Sequence, residues 1–450
     1  MARSGGRLLT GGMTFDQLVT LLVLACVVAA LILDKMRADV VALAGAAFLL
    51  VTGIVRPVEV EKAFASPAIV ALASLFVIAY AMELSGLLDA AIEKTVRVCR
   101  RIGSGGLWIL IGLAGAASAF LNNTPIVVLS APVLRDAAKS LGRSPKRYLI
   151  PLSYAAVLGG CCTLIGTSTN LLVNDMASVA GQPRFGMFEI TPVGVSVAVA
   201  GALYLFLFSG RLMKVDEKPK GPNPNAEQGD FRAPALVGGL VGSAEAFSKQ
   251  VELQPLRAMV SLIVFVLVIV LATLNVAPIA ACAFAGAVLL ILVRVITADE
   301  AYRGLRPEVL MLIAGMVVLG IALDETGLAS SATDALIGTM KSMSPTLALI
   351  ILYGVTLFAT ELLSNATVAV LFTPVAVSMA EAFGVSPRPF LVAVMIAASA
   401  AFATPFGYQT NVLVYQMGGY SYGDFLKVGL PLNIITWATA VFMIQAYFPF

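Results

Sequence analysis

Two polar stretches interrupt long apolar runs: Gly166-Thr167-Ser168-Thr169-Asn170 and Gly407-Tyr408-Gln409-Thr410-Asn411. Each is preceded by another polar knot, Asn122-Asn123-Thr124-Pro125 in the first half and Ser364-Asn365-Ala366-Thr367 in the second. A helix that starts at such a break inside an apolar layer presents free backbone N–H groups and a positive dipole end, which suits an anion without a buried Lys or Arg. An unwound segment also exposes carbonyls, and with Asn and Ser side chains these suit Na⁺. The competing reading is that Asn, Thr and Gly only let helices pack closely. Four knots at repeat-related positions favour a binding site at mid-membrane.

The composition sets the class. The chain is 59% hydrophobic and 12% charged, so it reads as a polytopic helical membrane protein. Its mean hydropathy is +0.94. There is no histidine, which removes the commonest metal ligand and the usual proton shuttle. A Ser-His triad is therefore impossible, and no H-E-x-x-H or G-x-S-x-G element is present, which sets aside an intramembrane enzyme. No catalytic residue and no organic cofactor are expected. The five cysteines lack C-x-x-C spacing and read as small apolar residues. Arg3 and Arg7 precede the first apolar run, but no A-x-A-like site follows it, so a cleaved signal peptide is not expected.

The elements that must position the knots follow in chain order. After a tail, 1–14, the apolar stretches 15–33, 38–55 and 67–86 are long enough to cross a bilayer, with a short charged loop at 56–63. A hairpin is expected over 105–135, broken at Asn122 to Pro125, with Thr124 as N-cap and Pro125 as the first helical residue. Lys94, Arg97, Arg100 and Arg101 flank it on one side and a basic loop, 135–147, on the other, so both ends lie in the cytoplasm. Whether it is re-entrant or crosses twice stays open. A broken helix, 148–180, and a span at 190–210 complete this half. The stretch 213–255 carries Lys214, Lys218, Lys220, Pro219, Pro222 and Pro224 and reads as a cytoplasmic linker. The second half, 256–450, repeats the pattern, with a hairpin at 345–383 and a broken helix at 389–418.

The repeat is legible in four blocks. Glu83-Leu84-Ser85-Gly86-Leu87 is echoed by Asp324-Glu325-Thr326-Gly327-Leu328, and Ser144-Pro145-Lys146 by Ser386-Pro387-Arg388. Both tips and both breaks recur at the same spacing. Each half has five spans plus a hairpin, an odd number of crossings either way, so the second copy is inverted. Basic residues agree: 135–147 is strongly basic while 375–389 has Arg388 against Glu381. The fold class expected is therefore an all-α integral membrane protein with two inverted repeats, each of about five transmembrane helices plus a re-entrant hairpin and a broken helix. That is secondary-transporter architecture, with the site where the breaks meet. Glu361 stands apart. A carboxylate inside the hairpin costs roughly 2.5–3.5 kcal/mol or more, so it has either a supporting partner or a role in cation or proton coupling.

The run Gly159-Gly160-Cys161-Cys162-Thr163-Leu164-Ile165-Gly166-Thr167-Ser168-Thr169-Asn170, the Asn-bearing tips and the long repeat resemble the divalent anion:sodium symporter family of the ion transporter superfamily. The resemblance covers nearly the whole chain and is strongest to the sulfate-transporting subgroup. It implies a homodimer in the cell (inner) membrane, multi-pass, that moves one divalent anion with Na⁺ at two sites by an elevator-like movement. Carried over, the first cation site is Ser118, Asn122, Asn123 and Gly166. The second is Thr360, Leu363, Asn365 and Gly407. The substrate touches Asn123, Thr124, Thr167, Asn365, Thr367 and Tyr408. The partners implied are a small anion and the lipid bilayer, and no nucleic acid.

The departures from the family pattern bear on substrate. Asn122 replaces a tip Ser, Ala366 replaces a tip Thr, and the breaks lack paired prolines. Hydroxyls for the far carboxylate of a dicarboxylate are lost or replaced by the bulk of Tyr408. Sulfate is therefore favoured, with a C4-dicarboxylate next. The rival reading within the superfamily is an anion exporter or a cation/proton exchanger.

Overall fold

The computed structural model describes residues 14–33, 36–87, 90, 103–212, 252–274, 276–328, 331, 343–405 and 407–450. The first half contributes α1 (Phe15–Leu33), α2 (Ala38–Val51), α3 (Pro57–Phe64), α4 (Pro67–Leu84), α5 (Ser104–Ser118), α6 (Asn123–Ser140), α7 (Lys146–Gly160), α8 (Ser168–Val179) and α9 (Thr191–Leu212). The second contributes α10 (Pro255–Thr273), α11 (Ile279–Leu292), α12 (Ala298–Gly304), α13 (Pro307–Glu325), α14 (Pro345–Ala359), α15 (Asn365–Phe383), α16 (Arg388–Ser399), α17 (Gln409–Gly418) and α18 (Tyr422–Tyr447). The two sequences of helices match one for one.

The packing repeats as well, with partners exchanged. Helix α2 packs on α13 and α4 on α11. Helix α6 packs on α17 and α15 on α8. Each pair is the other with the halves swapped, which is the signature of an approximate two-fold relation. Helices α7 and α16 sit at the centre, and every residue of α16 from Pro389 to Ser399 is buried. Their broken ends therefore fall in the middle of the molecule. The outside is apolar: Leu256, Ile263, Val266 and Val270 on α10 and Val199, Leu203 and Phe206 on α9 are exposed. Water does not tolerate faces of that extent, whereas lipid does. Helices such as Pro255–Thr273 and Pro307–Glu325 are long and apolar enough to cross a membrane.

Several sequence expectations shift locally. The charged loop expected at 56–63 is helix α3, because Pro57 suits the first turn and the Glu59–Arg56 and Glu59–Lys62 pairs fit helical spacing. The basic loop of 135–147 is shorter, since α6 runs on to Ser140 and carries Arg135 and Lys139 on its last turns. Likewise α15 continues to Phe383 and ends on Gly384, which has φ 64°. Helix α6 starts before Thr124: Asn122 is the N-cap, its side-chain oxygen accepting from the Thr124 N–H at 3.2 Å, and Pro125 follows in the first turn. Helix α10 begins at Pro255, which the linker was expected to include. Linker residues 213–251, the basic cluster Lys94 to Arg101 and Cys99 lie outside the described residues.

Tyrosines tie α7 to the second half. The Tyr420 hydroxyl accepts from the Ile150 N–H at 3.1 Å and donates to the Lys146 carbonyl at 2.5 Å. It thereby inserts into the turn just before Pro151 and opens the helical ladder there. The Tyr154 hydroxyl donates to the Phe402 carbonyl, inside the break between α16 and α17.

Candidate functional site

The site is built from two tips and two breaks that share one hydrogen-bond pattern. Ser118, the last residue of α5, donates to Asn123 Oδ1 at 2.5 Å. Thr360 Oγ1 lies 2.9 Å from Asn365 Oδ1 in the corresponding place and shares its single proton with the Ala398 carbonyl at 2.7 Å. Thr163 in the first break donates to the Ala119 carbonyl, and in the second Thr404 Oγ1 lies 3.1 Å from the Glu361 carbonyl, with its proton directed to the nearer Glu361 carboxylate at 2.9 Å. Each of those threonine oxygens accepts the N–H of the glycine three residues on, Gly166 at 3.2 Å and Gly407 at 3.1 Å. Asn170 Nδ2 donates to the Thr163 carbonyl at 3.0 Å, and Asn411 Nδ2 to the Thr404 carbonyl at 3.2 Å. The asparagine of each half-helix thus folds back to hold its own break open. The physical reason is plain: an interrupted helix in a dry interior needs side-chain partners for its freed backbone groups.

The halves meet at these breaks. Asn123 Nδ2 donates to the Tyr408 hydroxyl at 3.0 Å, and the Thr124 hydroxyl donates to Gln409 Oε1 at 3.1 Å. Tyr408 is the N-cap of α17, so the first tip closes directly on the start of the second half-helix. Thr167 is the N-cap of α8, its oxygen accepting from the Thr169 N–H at 3.4 Å. The counterpart of the Asn123 donor differs: Asn365 Nδ2 is buried and has no hydrogen-bond partner among the described residues. Thr367 is turned to Ser364, its hydroxyl 2.7 Å from the Ser364 hydroxyl and its N–H bonded to the same oxygen at 3.2 Å.

The residues carried over for the first cation set come together. Ser118 and Asn123 are bonded. A Cβ on Gly166 would lie 2.9 Å from the Ala119 carbonyl oxygen and 2.5 Å from that of Gly160. Asn122 caps α6 instead of facing Asn123. In the second set Thr360 and Asn365 are bonded, Leu363 packs against the core, and Gly407 lies beside Thr404 and the Glu361 carboxylate. These groups are oxygen-rich and neutral apart from Glu361, a donor set that suits a hard monovalent cation.

Glu361 is the most heavily bonded side chain in the region. Its carboxylate accepts the N–H groups of Phe402, Ala403 and Thr404 at 2.8, 2.7 and 2.9 Å, the Thr404 hydroxyl at 2.9 Å, and Asn433 Nδ2 at 2.7 Å. Sequence reasoning singled out Glu361 but not its partner Asn433, which arrives from α18 with nothing in the local pattern to mark it. It also passed over Thr163 and Thr404, although they share the repeat spacing. Ser153 was invisible too: its hydroxyl lies 2.7 Å from both Thr410 Oγ1 and Asn411 Oδ1.

Comparison with known proteins places the fold among membrane transporters. A profile described as citrate transporter matches residues 28–387 and 360–450. An uncharacterized transporter of Synechocystis sp. is 24% identical over 95% of this chain and 97% of its own length. A probable sodium/sulfate cotransporter of Chlamydomonas reinhardtii is 50% identical, over 20% of this chain and 11% of its own length. The crystal structure of the Alcanivorax borkumensis YdaH transporter matches with a TM-score of 0.59 at 15% identity, over 95% of this chain and 98% of that one. At that identity the likeness establishes the fold.

Proposed function

The chain belongs to the citrate transporter family and is a membrane transporter, and from that premise we propose sodium-coupled symport of a small divalent anion, sulfate first and a C4-dicarboxylate next. The observation that carries the reading is the meeting of tip and break: Asn123 and Thr124 of one half against Tyr408 and Gln409 of the other, with Asn365 Nδ2 of the second tip buried and without a partner among the described residues. A buried amide donor without a partner is costly, and an anion oxygen would supply what it lacks. The high identity of a short segment to a sodium/sulfate cotransporter supports the choice of cation and anion. In this reading Asn123, Thr124, Thr167, Asn365, Thr367 and Tyr408 contact the anion. Ser118, Asn122, Asn123 and Gly166 hold one Na⁺, Thr360, Leu363, Asn365 and Gly407 the other, and Glu361 couples cation binding to the breaks.

Helices α5–α8 and α14–α17 carry both tips and both breaks. They would move as one body against the rest, in an elevator-type cycle between inward- and outward-open states. The halves are inverted in the cell (inner) membrane, with 15–212 and 256–450 as the repeats and 213–255 as the linker, and the protein works as a homodimer.

The test is uptake of radiolabelled sulfate and of succinate into proteoliposomes, with and without an inward Na⁺ gradient. Na⁺-driven uptake of one anion, lost in Asn123→Ala and in Asn365→Ala, is the expected result. Absence of Na⁺-dependent uptake of both anions would overturn the symport reading in favour of a proton-coupled carrier or an exporter.

A further inference from the structure

The two breaks are not equivalent, and the difference is confined to one polar pair. Helix α7 runs to Gly160, and the Cys161 and Cys162 N–H groups still donate to the Val157 and Gly159 carbonyls. Helix α16 stops at Ser399, the counterpart of Leu158, two residues short of where α7 stops. The reason lies in Glu361. The N–H groups of Phe402, Ala403 and Thr404, which would have bonded the Ala398, Ser399 and Ala400 carbonyls one turn back, all go to its carboxylate. In the first half the place of Glu361 is taken by Ala119, and that of its partner Asn433 by Ala198, since Gly194 and Gly429 press on the matching residues Cys161 and Phe402 of the two breaks. Both members of the pair are absent together.

Removing three donors leaves three carbonyls to satisfy. Ala398 receives the Thr360 hydroxyl at 2.7 Å. The Ser399 and Ala400 carbonyls receive no hydrogen bond from any described residue, although Ser399 is 3% and Ala400 2% exposed. A buried backbone carbonyl without a donor is rare and calls for a partner that is not a hydrogen-bond donor of the protein. Oxygen groups flank the segment: the Thr360 hydroxyl is on the carbonyl of Ala398, the residue before Ser399, and Gly407 lies beside Ala401, the residue after Ala400, where an added Cβ would be 3.4 Å from Glu361 Oε2. Buried carbonyls without donors, in a segment whose N–H groups a carboxylate holds, suit a monovalent alkali cation.

We propose that Glu361 is a positioning residue that rewires the second break, and that the carbonyls it releases at Ser399 and Ala400 bind a coupling cation. The inference rests on the sodium reading above and extends it: the second cation site has ligands that the first cannot form, so the two sites are unequal. The second is already open before the cation arrives, because Glu361 and not the cation holds the backbone out of the helix.

Two measurements on the purified full-length protein decide this. Equilibrium binding of ²²Na⁺ is expected to resolve two components in the wild type, one of them weakened at least tenfold in Glu361→Gln and the other within twofold. Hydrogen–deuterium exchange without Na⁺ is expected to show the 402–404 amides protected in the wild type and at least tenfold faster in Glu361→Gln, with 161–163 unchanged. If that variant does not purify, Glu361→Asp, which keeps the charge but not the reach, is expected to give the same losses. Faster exchange with unaltered ²²Na⁺ binding would overturn the carbonyl site. Unaltered exchange would overturn the anchoring. A wild type that binds no ²²Na⁺ would end both the sodium reading and the carbonyl site, while the exchange data would still judge the anchor.

Discussion

A methyl group at position 160 should damage the site without unfolding the protein, and one at position 159 should do the reverse. A Cβ on Gly160 would sit 2.7 Å from Asn123 Oδ1, 3.1 Å from Nδ2 and 3.3 Å from Cγ. Ordinary contact begins near 3.4 Å, so the amide must withdraw by about 0.7 Å. Asn123 is pinned from both sides, by Ser118 at 2.5 Å and Tyr408 at 3.0 Å, and a shift of that size carries one of the two bonds beyond useful length. Losing one buried hydrogen bond costs about 1–3 kcal/mol. At about 1.4 kcal/mol per factor of ten, the half-saturating anion concentration of Gly160→Ala should rise roughly 5- to 150-fold. A Cβ on Gly159 would instead overlap the Gly115 carbonyl oxygen, which is backbone and cannot swing aside. Helices α5 and α7 would have to part, and the Trp108–Tyr148 edge contact between them, at 5.9 Å, would open. Gly159→Ala should therefore lower the thermal midpoint followed by tryptophan fluorescence, with Gly160→Ala within a few degrees of wild type. An unchanged anion dependence in Gly160→Ala, or an unchanged midpoint in Gly159→Ala, would refute the reasoning.

Ser153→Val removes the donor to Asn411 Oδ1 and leaves a buried acceptor unpaired, so thermal unfolding should show a loss of about 1–3 kcal/mol. Tyr408→Phe keeps the ring but takes away the acceptor of the Asn123 amide. Initial-rate uptake should show a several-fold higher half-saturating anion concentration with the maximal rate largely kept. At the capping box of α12, the Thr297 N–H and hydroxyl donate to Glu300 at 2.8 and 3.0 Å, and these bonds hold its carboxyl below the usual carboxylate range. A lowered folded value stabilises above the unfolded value and the gain disappears as pH falls through the folded one. Thr297→Ala should therefore cost about 1 kcal/mol at pH 7 in a thermal melt, and less at acidic pH, where the Glu300 carboxyl is protonated in the wild type too.

The frame was legible because it depends on local signals. Long apolar runs, the prolines near helix starts and the repeat spacing place the helices to within a few residues, and the Asn-bearing tips announce where they break. Short charged stretches misled: the residues of α3 read as a loop because eight residues carry too little periodicity to outweigh Arg56, Glu59 and Lys62. What could not be read was cross-chain pairing. Nothing near Asn433 says that it meets Glu361, since 72 residues separate them. Nothing in Ser153 says that it satisfies Asn411, 258 residues away.

Those cross-chain pairs are also where the repeat fails, and they fail in a pattern. Ser153 has Val394 as its counterpart, Glu361 has Ala119, Asn433 has Ala198, and Tyr408 has Thr167. The backbone frame and the tip-and-break hydrogen bonds are two-fold, while the polar groups added to them are not. The consequence is visible at the half-helix asparagines: Asn411 Oδ1 has Ser153, whereas Asn170 Oδ1 is buried with no partner among the described residues. A symmetric frame with matched ligands would offer two equal places for an anion. Here Asn123 Nδ2 is engaged by Tyr408 while Asn365 Nδ2 has no partner among the described residues, so the polar capacity of the centre is one-sided. One-sidedness of this kind suits a single compact anion better than one that spans both tips, and it follows from four substitutions against the repeat and not from any change of fold.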